Sequence, residues 1–104
     1  MTILYLVCAN EKEADKIADT LLEKQLIACA KKFPTNSIFK WQGEVKRANE
    51  IVLLLETEKR LFDEIEREVT KIHSHKTFIL ASIPTDKVSK GVKEWFEEEL
   101  KEIV

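Results

Sequence analysis

"LIACAKKFPTNSIFKWQGEVKRANEIVLLLET", residues 26–57, decides the fold. No helical period runs through it, Pro34 interrupts it, and its only glycine, Gly43, stands in "QGE", where a residue able to take positive φ closes a hairpin. The stretch therefore reads as two long antiparallel strands. Each arm, Ile27 to Trp41 and Gly43 to Thr57, extends about 45 Å at ~3.3 Å per residue. That exceeds the compact body of a 100-residue domain. A hairpin of this length projects, and a projecting hairpin needs a partner.

Working outward, "TILYLVCA" (residues 2–9) is apolar at consecutive positions and suits a strand buried on both faces. Asn10 follows as an N-cap with Glu13 completing a capping box, and Ala14, Ile17, Ala18, Leu21, Leu22 and Leu26 form a helical stripe. Beyond the hairpin, Thr57 is placed to cap a helix carrying Leu61, Phe62, Ile65, Val69 and Ile72. "TFILASIP" gives a last strand, and "SKGVKEWFEEELKEIV" an amphipathic helix with Val92, Trp95, Phe96, Leu100 and Ile103 on its apolar side. The order βαββαβ plus α, with right-handed crossovers, predicts an α+β, ferredoxin-like antiparallel sheet in order 4-1-3-2 with an additional C-terminal helix. The first and third strands carry large apolar residues on both parities, so the face without helices must also be covered. Together with the hairpin, this points to an obligate oligomer.

Composition narrows the function. The 104 residues make one expected domain, residues 1–104, with 17 basic and 19 acidic side chains and a formal charge of -2, which argues against a nucleic-acid partner. An RNA-binding sheet of the same element order also needs exposed aromatics where the central strands offer aliphatics. Two glycines leave no phosphate-cradling loop, and no nucleophile motif appears, so no enzyme is expected. No apolar run approaches a membrane span, and the N-terminus has no basic lead, so the expected location is cytoplasmic.

Both histidines lie in "KIHSHK", residues 71–76. If residues 73 to 75 are extended, the rings of His73 and His75 leave the same side about 7 Å apart at their bases, near enough to chelate one ion. The plainer reading ends a helix at His73 and leaves His75 solvated between lysines. Cys8 and Cys29 fall on strands separated by a third, about 9.6 Å apart, beyond disulfide reach. They read as small buried hydrophobes, with Cys8 also a soft-metal ligand candidate.

"LLEKQLIACAKK", then Ser37, Phe39 and Trp41 in "SIFKWQGEV", then "ANEIVLLLET", His73, and "VKEWFEEEL" resemble the successive blocks of the CutA family of divalent-cation-tolerance proteins. The resemblance implies a cytoplasmic homotrimer with intertwined hairpins that binds copper or other divalent cations near a cleft between subunits. On that resemblance Cys29, Ser37, Trp41 and Glu50 are cleft residues. Glu56 stands where a lysine is common, and Ser74 and His75 replace a proline and tyrosine after His73. Two functions follow as expectations: a divalent-cation-binding protein of metal tolerance, or a PII-like regulatory module taking a small ligand or protein partner at the clefts. The charge of Glu56 is the expected discriminator between them.

Overall fold

The computed structural model describes residues 1–102; Ile103, expected on the last helix, lies outside them. Strand β1 (Thr2–Cys8) leads into helix α1 (Glu11–Glu23), then β2 (Cys29–Trp41) and β3 (Glu44–Thr57), a 3-10 turn at Lys59–Leu61, helix α2 (Phe62–Ile72), β4 (Leu80–Pro84) and helix α3 (Val92–Glu99). The sheet is antiparallel, in the order β2-β3-β1-β4.

Strand parity divides the apolar residues between two faces. Leu4, Leu6 and Cys8 of β1, with Leu53 and Leu55 of β3, point to the helices and are buried against Ala14, Ile17 and Leu21 of α1 and Ile65 and Val69 of α2. The other parity places Ile3 opposite Glu56, Tyr5 opposite Leu54, and Val7 opposite Val52, on the face turned away from α1 and α2.

The long hairpin forms as one continuous ladder from Cys29↔Glu56 to Trp41↔Glu44. Its turn is two residues, Gln42 (φ 51) and Gly43 (φ 79), both left-handed, the geometry whose twist matches the flanking strands. Only Ile51 to Thr57 of β3 pair with β1; beyond them the two arms have each other alone. The molecule is accordingly 46 Å in its longest dimension. Large apolar side chains stand out near the tip: Ile38 (63% exposed), Val45 (61%), Trp41 (50%) and Phe39.

Local chemistry explains most boundaries. Asn10 Oδ1 accepts the Glu13 N–H at 2.8 Å, as the capping pattern requires, while the Glu13 carboxylate reaches one residue further back, to Ala9 N at 2.7 Å. Gln25, at φ 59, ends α1 with Leu26 N–H returned to the Leu21 carbonyl. Two expectations are corrected. Thr57 does not cap α2: it is the buried last residue of β3, and its hydroxyl is used on the Leu26 carbonyl at 2.6 Å. Helix α3 stops at Glu99, because Leu100 turns extended to bury its side chain and Lys101 N–H binds the Gln25 carbonyl at 2.8 Å. Of its two aromatics, Phe96 is buried and Trp95 lies edge-on against it, partly exposed.

A candidate metal centre at the end of β1

Helix α2 runs parallel to β1, so its C-terminus arrives at the sheet end where β1 gives way to α1. His73 caps α2 there, its N–H bonded to the Val69 carbonyl at 2.8 Å and its own backbone extended (φ -61, ψ 136). Cys8 ends β1 and Glu13 lies in the first turn of α1. One ligand atom from each of Cys8, Glu13 and His73 lies within 4.8 Å of the other two. All three side chains are shielded: Cys8 is 0% exposed as a residue, and the side chains of His73 and Glu13 are 2% and 9% exposed.

Hydrogen bonds fix the ring and the carboxylate. His73 Nε2 lies 2.8 Å from the Val7 carbonyl, and Nδ1 accepts the His75 N–H at 3.1 Å, which assigns the ring proton to Nε2. The ring stacks on Phe78 at 4.7 Å, and its Nε2 is 3.8 Å from Glu13 Oε2. Glu13 accepts from Ala9 N and, at 2.6 Å, from Ser74 N, and so ties the start of α1 to the segment after α2. Burial alone pushes the Glu13 carboxyl up. The bonds from Ala9 and Ser74, with His73 beside it, outweigh burial and hold it below the usual carboxylate range. The Cys8 thiol moves the other way, pushed up to about 12 by burial and then by the negative charges of Glu13 and Glu50.

His75 lies outside this cluster. Its ring is exposed, tilted 52° to that of His73 with centroids 5.7 Å apart, and its backbone N–H occupies the His73 nitrogen that a shared chelate would use. Glu13 was legible in the sequence only as a capping residue. The signal that makes it a donor is topological: a carboxylate one turn into α1, a cysteine ending β1 and a histidine ending α2 converge at one end of a βαββαβ sheet.

The residues assigned to a cleft fall in three places. Cys29 and Glu56 face each other at the opposite end of the sheet, where Lys31 Nζ donates to Glu56 at 2.7 Å and to Cys29 Sγ at 3.3 Å. Lys31 holds the Glu56 carboxyl below its ordinary range, and Glu56 raises the lysine in return. Ser37 and Trp41 lie out on the hairpin, opposite Ala48 and Glu44. Glu50 sits half-buried in a groove with Ala9, Asn10, Pro34, Thr35, Asn36, Asn49 and Ile51, next to the donor cluster. Both cysteines are free.

The chain as a whole is similar to known proteins. The family described as CutA1 divalent ion tolerance protein matches residues 2–99. The chain belongs to the CutA1 divalent ion tolerance family. Among its relatives, the divalent-cation tolerance protein CutA of Archaeoglobus fulgidus is 35% identical over 95 residues, covering 91% of this chain and 93% of that protein. The corresponding CutA of Pyrococcus horikoshii is 28% identical over 101 residues, covering 97% and 99%. A solved structure of the Archaeoglobus protein superposes with a TM-score of 0.93 at 33% identity over 97% of this chain and all of that one. The crystal structure of CutA1 from Pyrococcus horikoshii gives 0.93 at 26% over 98% and 100%.

CutA1 proteins are thus described as tolerance proteins for divalent ions. The cytoplasmic expectation is corrected: the Archaeoglobus structure is described as the periplasmic divalent cation tolerance protein. The inference failed because a short apolar N-terminal run reports only that β1 is buried. No described helix is long and apolar enough to cross a membrane.

Proposed function

We propose that this CutA1 chain binds a divalent cation, copper or a similar ion, through Cys8, Glu13 and His73, and that it does so as a homotrimer. The observation that carries the reading is the convergence of a thiol, a carboxylate and an imidazole within 4.8 Å at a shielded sheet end. These are the donor types of zinc and copper sites, and three protein ligands leave one position open to water or another ligand. Tolerance then follows from sequestration of the ion.

The fit has a stated cost. To hold an ion at Nε2, His73 would give up its bond to the Val7 carbonyl, its ring proton would pass to Nδ1, and the His75 N–H would have to turn aside. Each of the two hydrogen bonds given up contributes about 1 kcal/mol net. Glu56, offered by the sequence as the discriminator between cation and anion binding, is neutralised by Lys31 and decides nothing. The donor cluster carries the choice against the regulatory alternative.

The trimer rests on two surfaces. The sheet face turned away from α1 and α2 presents Ile3, Tyr5, Val7, Val52 and Leu54 together, and the projecting hairpin carries Phe39 and Trp41 on one parity and Ile38 and Val45 on the other. A hairpin apolar on both faces is buried only between neighbours.

Proton release tests the site. The Cys8 thiol, held at about 12, is protonated at neutral pH, so the ion must expel one proton to bind sulfur. The apparent zinc affinity should rise about tenfold per pH unit between 6.5 and 8.5 in wild type, with about one proton released per chain in calorimetry across buffers of different ionisation enthalpy. Cys8→Ser should lose that proton and most of the affinity. Identical isotherms for the two proteins would remove Cys8 from the site.

A further inference from the structure

We infer, on the reading that the ion lies among Cys8, Glu13 and His73, that Glu13 sets the valence of the site: with the Cys8 thiolate it makes a pocket that a borderline-soft divalent ion of the zinc(II) type neutralises and that copper(I) does not. Donor type gives the first half of the argument. One sulfur, one nitrogen and one carboxylate suit zinc(II), cadmium(II) or cobalt(II), whereas magnesium and calcium demand six or more oxygens.

Charge gives the second half. A thiolate and a carboxylate bring -2 and a neutral imidazole adds nothing, so a divalent ion leaves the pocket at zero and copper(I) leaves it at -1. Cys8 is fully buried and the side chains of His73 and Glu13 are nearly so, and uncompensated charge on such groups is costly. No other cation relieves it: among the described residues, Glu13 has no lysine or arginine within ion-pair distance, and Lys32 is taken by Glu11 and Asp15. The further charged group acting on Cys8 is Glu50, from the adjoining groove, and its sign also favours the ion of higher charge.

The experiment uses the full chain, stripped by chelator and handled without oxygen. Zinc(II) and copper(I) are titrated in competition with chromophoric chelators into wild type, Glu13→Gln and Glu50→Gln, with magnesium and calcium added in excess as competitors. Cobalt(II) is added separately to read thiolate ligation from its charge-transfer absorption. Glu13→Gln should weaken zinc on the order of a hundredfold and copper(I) by less than about tenfold. Glu50→Gln, which keeps both Glu13 hydrogen bonds and so the fold, should shift the zinc to copper(I) ratio in the same direction by roughly threefold. Magnesium and calcium should not compete. Equal losses for both ions, or displacement of zinc by calcium, would overturn the inference while leaving the site in place. No thiolate band with cobalt, and zinc binding indifferent to Cys8→Ser, would overturn the site itself.

Discussion

Truncating Glu13 to alanine is expected to destabilise the protein by on the order of 2 kcal/mol, a large effect for a polar side chain on the first turn of a helix. The carboxylate accepts the N–H groups of Ala9 and Ser74 at 2.7 and 2.6 Å. The Ala9 N–H, left unpaired in a partly buried place, costs about 1–3 kcal/mol; the exposed Ser74 N–H turns to water, and the segment after α2 loses its tie to α1. The same group predicts an acid dependence. Its carboxyl lies below the ordinary 4.5 in the folded chain, so the stability it contributes is present above that value and is lost as pH falls through the folded value. Urea unfolding at fixed protein concentration should show wild type losing stability from about pH 4.5 downward, and Glu13→Ala starting lower with a shallower slope. Equal midpoints for the two proteins at pH 7 would show that the carboxylate is solvated rather than built into the joint.

If the chain assembles as the proposed homotrimer, Leu54→Asp is expected to convert it to monomer. Leu54 lies on the sheet face opposite α1 and α2, across from Tyr5 of β1 and Lys31 of β2, on the surface that the proposed assembly would cover. In a symmetric trimer one substitution places three carboxylates in the buried interface. Burying an unpaired charge costs several kcal/mol even after relaxation, so the summed cost exceeds what a typical interface holds in reserve. Lys31 offers no rescue, being engaged by Glu56 at 2.7 Å. Light scattering at micromolar concentration should report the mass of three chains for wild type and one for the variant. A variant that stays trimeric would show that this face is not the interface.

What the sequence made legible is what periodicity and local chemistry determine. The apolar residues on both parities of β1 and β3 revealed two apolar faces, "QGE" located the turn, and the Asn10 to Glu13 spacing started α1 where it starts. The misses have a common cause: each depends on a partner distant along the chain. Thr57 looked like a cap because its hydroxyl's true acceptor, the Leu26 carbonyl, is 31 residues away in sequence and meets it only when β3 docks on the end of α1. Helix α3 looked longer because nothing local says that Lys101 N–H will bind Gln25. Glu56 looked like a free carboxylate because its lysine lies across a strand pair, 25 residues earlier.

The candidate site divides in the same way. His73 and Cys8 were recognisable as metal-binding residue types, and the closeness of "HSH" made His75 the obvious companion. The ring of His73 turns instead toward β1, where Val7 accepts its proton, and the third donor comes from a residue whose capping role had already explained it. A residue can satisfy a local rule and a tertiary one at once, and Glu13 does both.

The claim on which the rest depends is the position of the ion. The direct measurement is an anomalous difference map at the zinc edge from crystals of the zinc-loaded protein. A peak is expected at about 2.3 Å from Cys8 Sγ and about 2.0–2.2 Å from a His73 ring nitrogen and a Glu13 oxygen. A map whose peak lies instead at His75, or at Cys29 beside Lys31, with the Cys8 end of β1 empty, would contradict it.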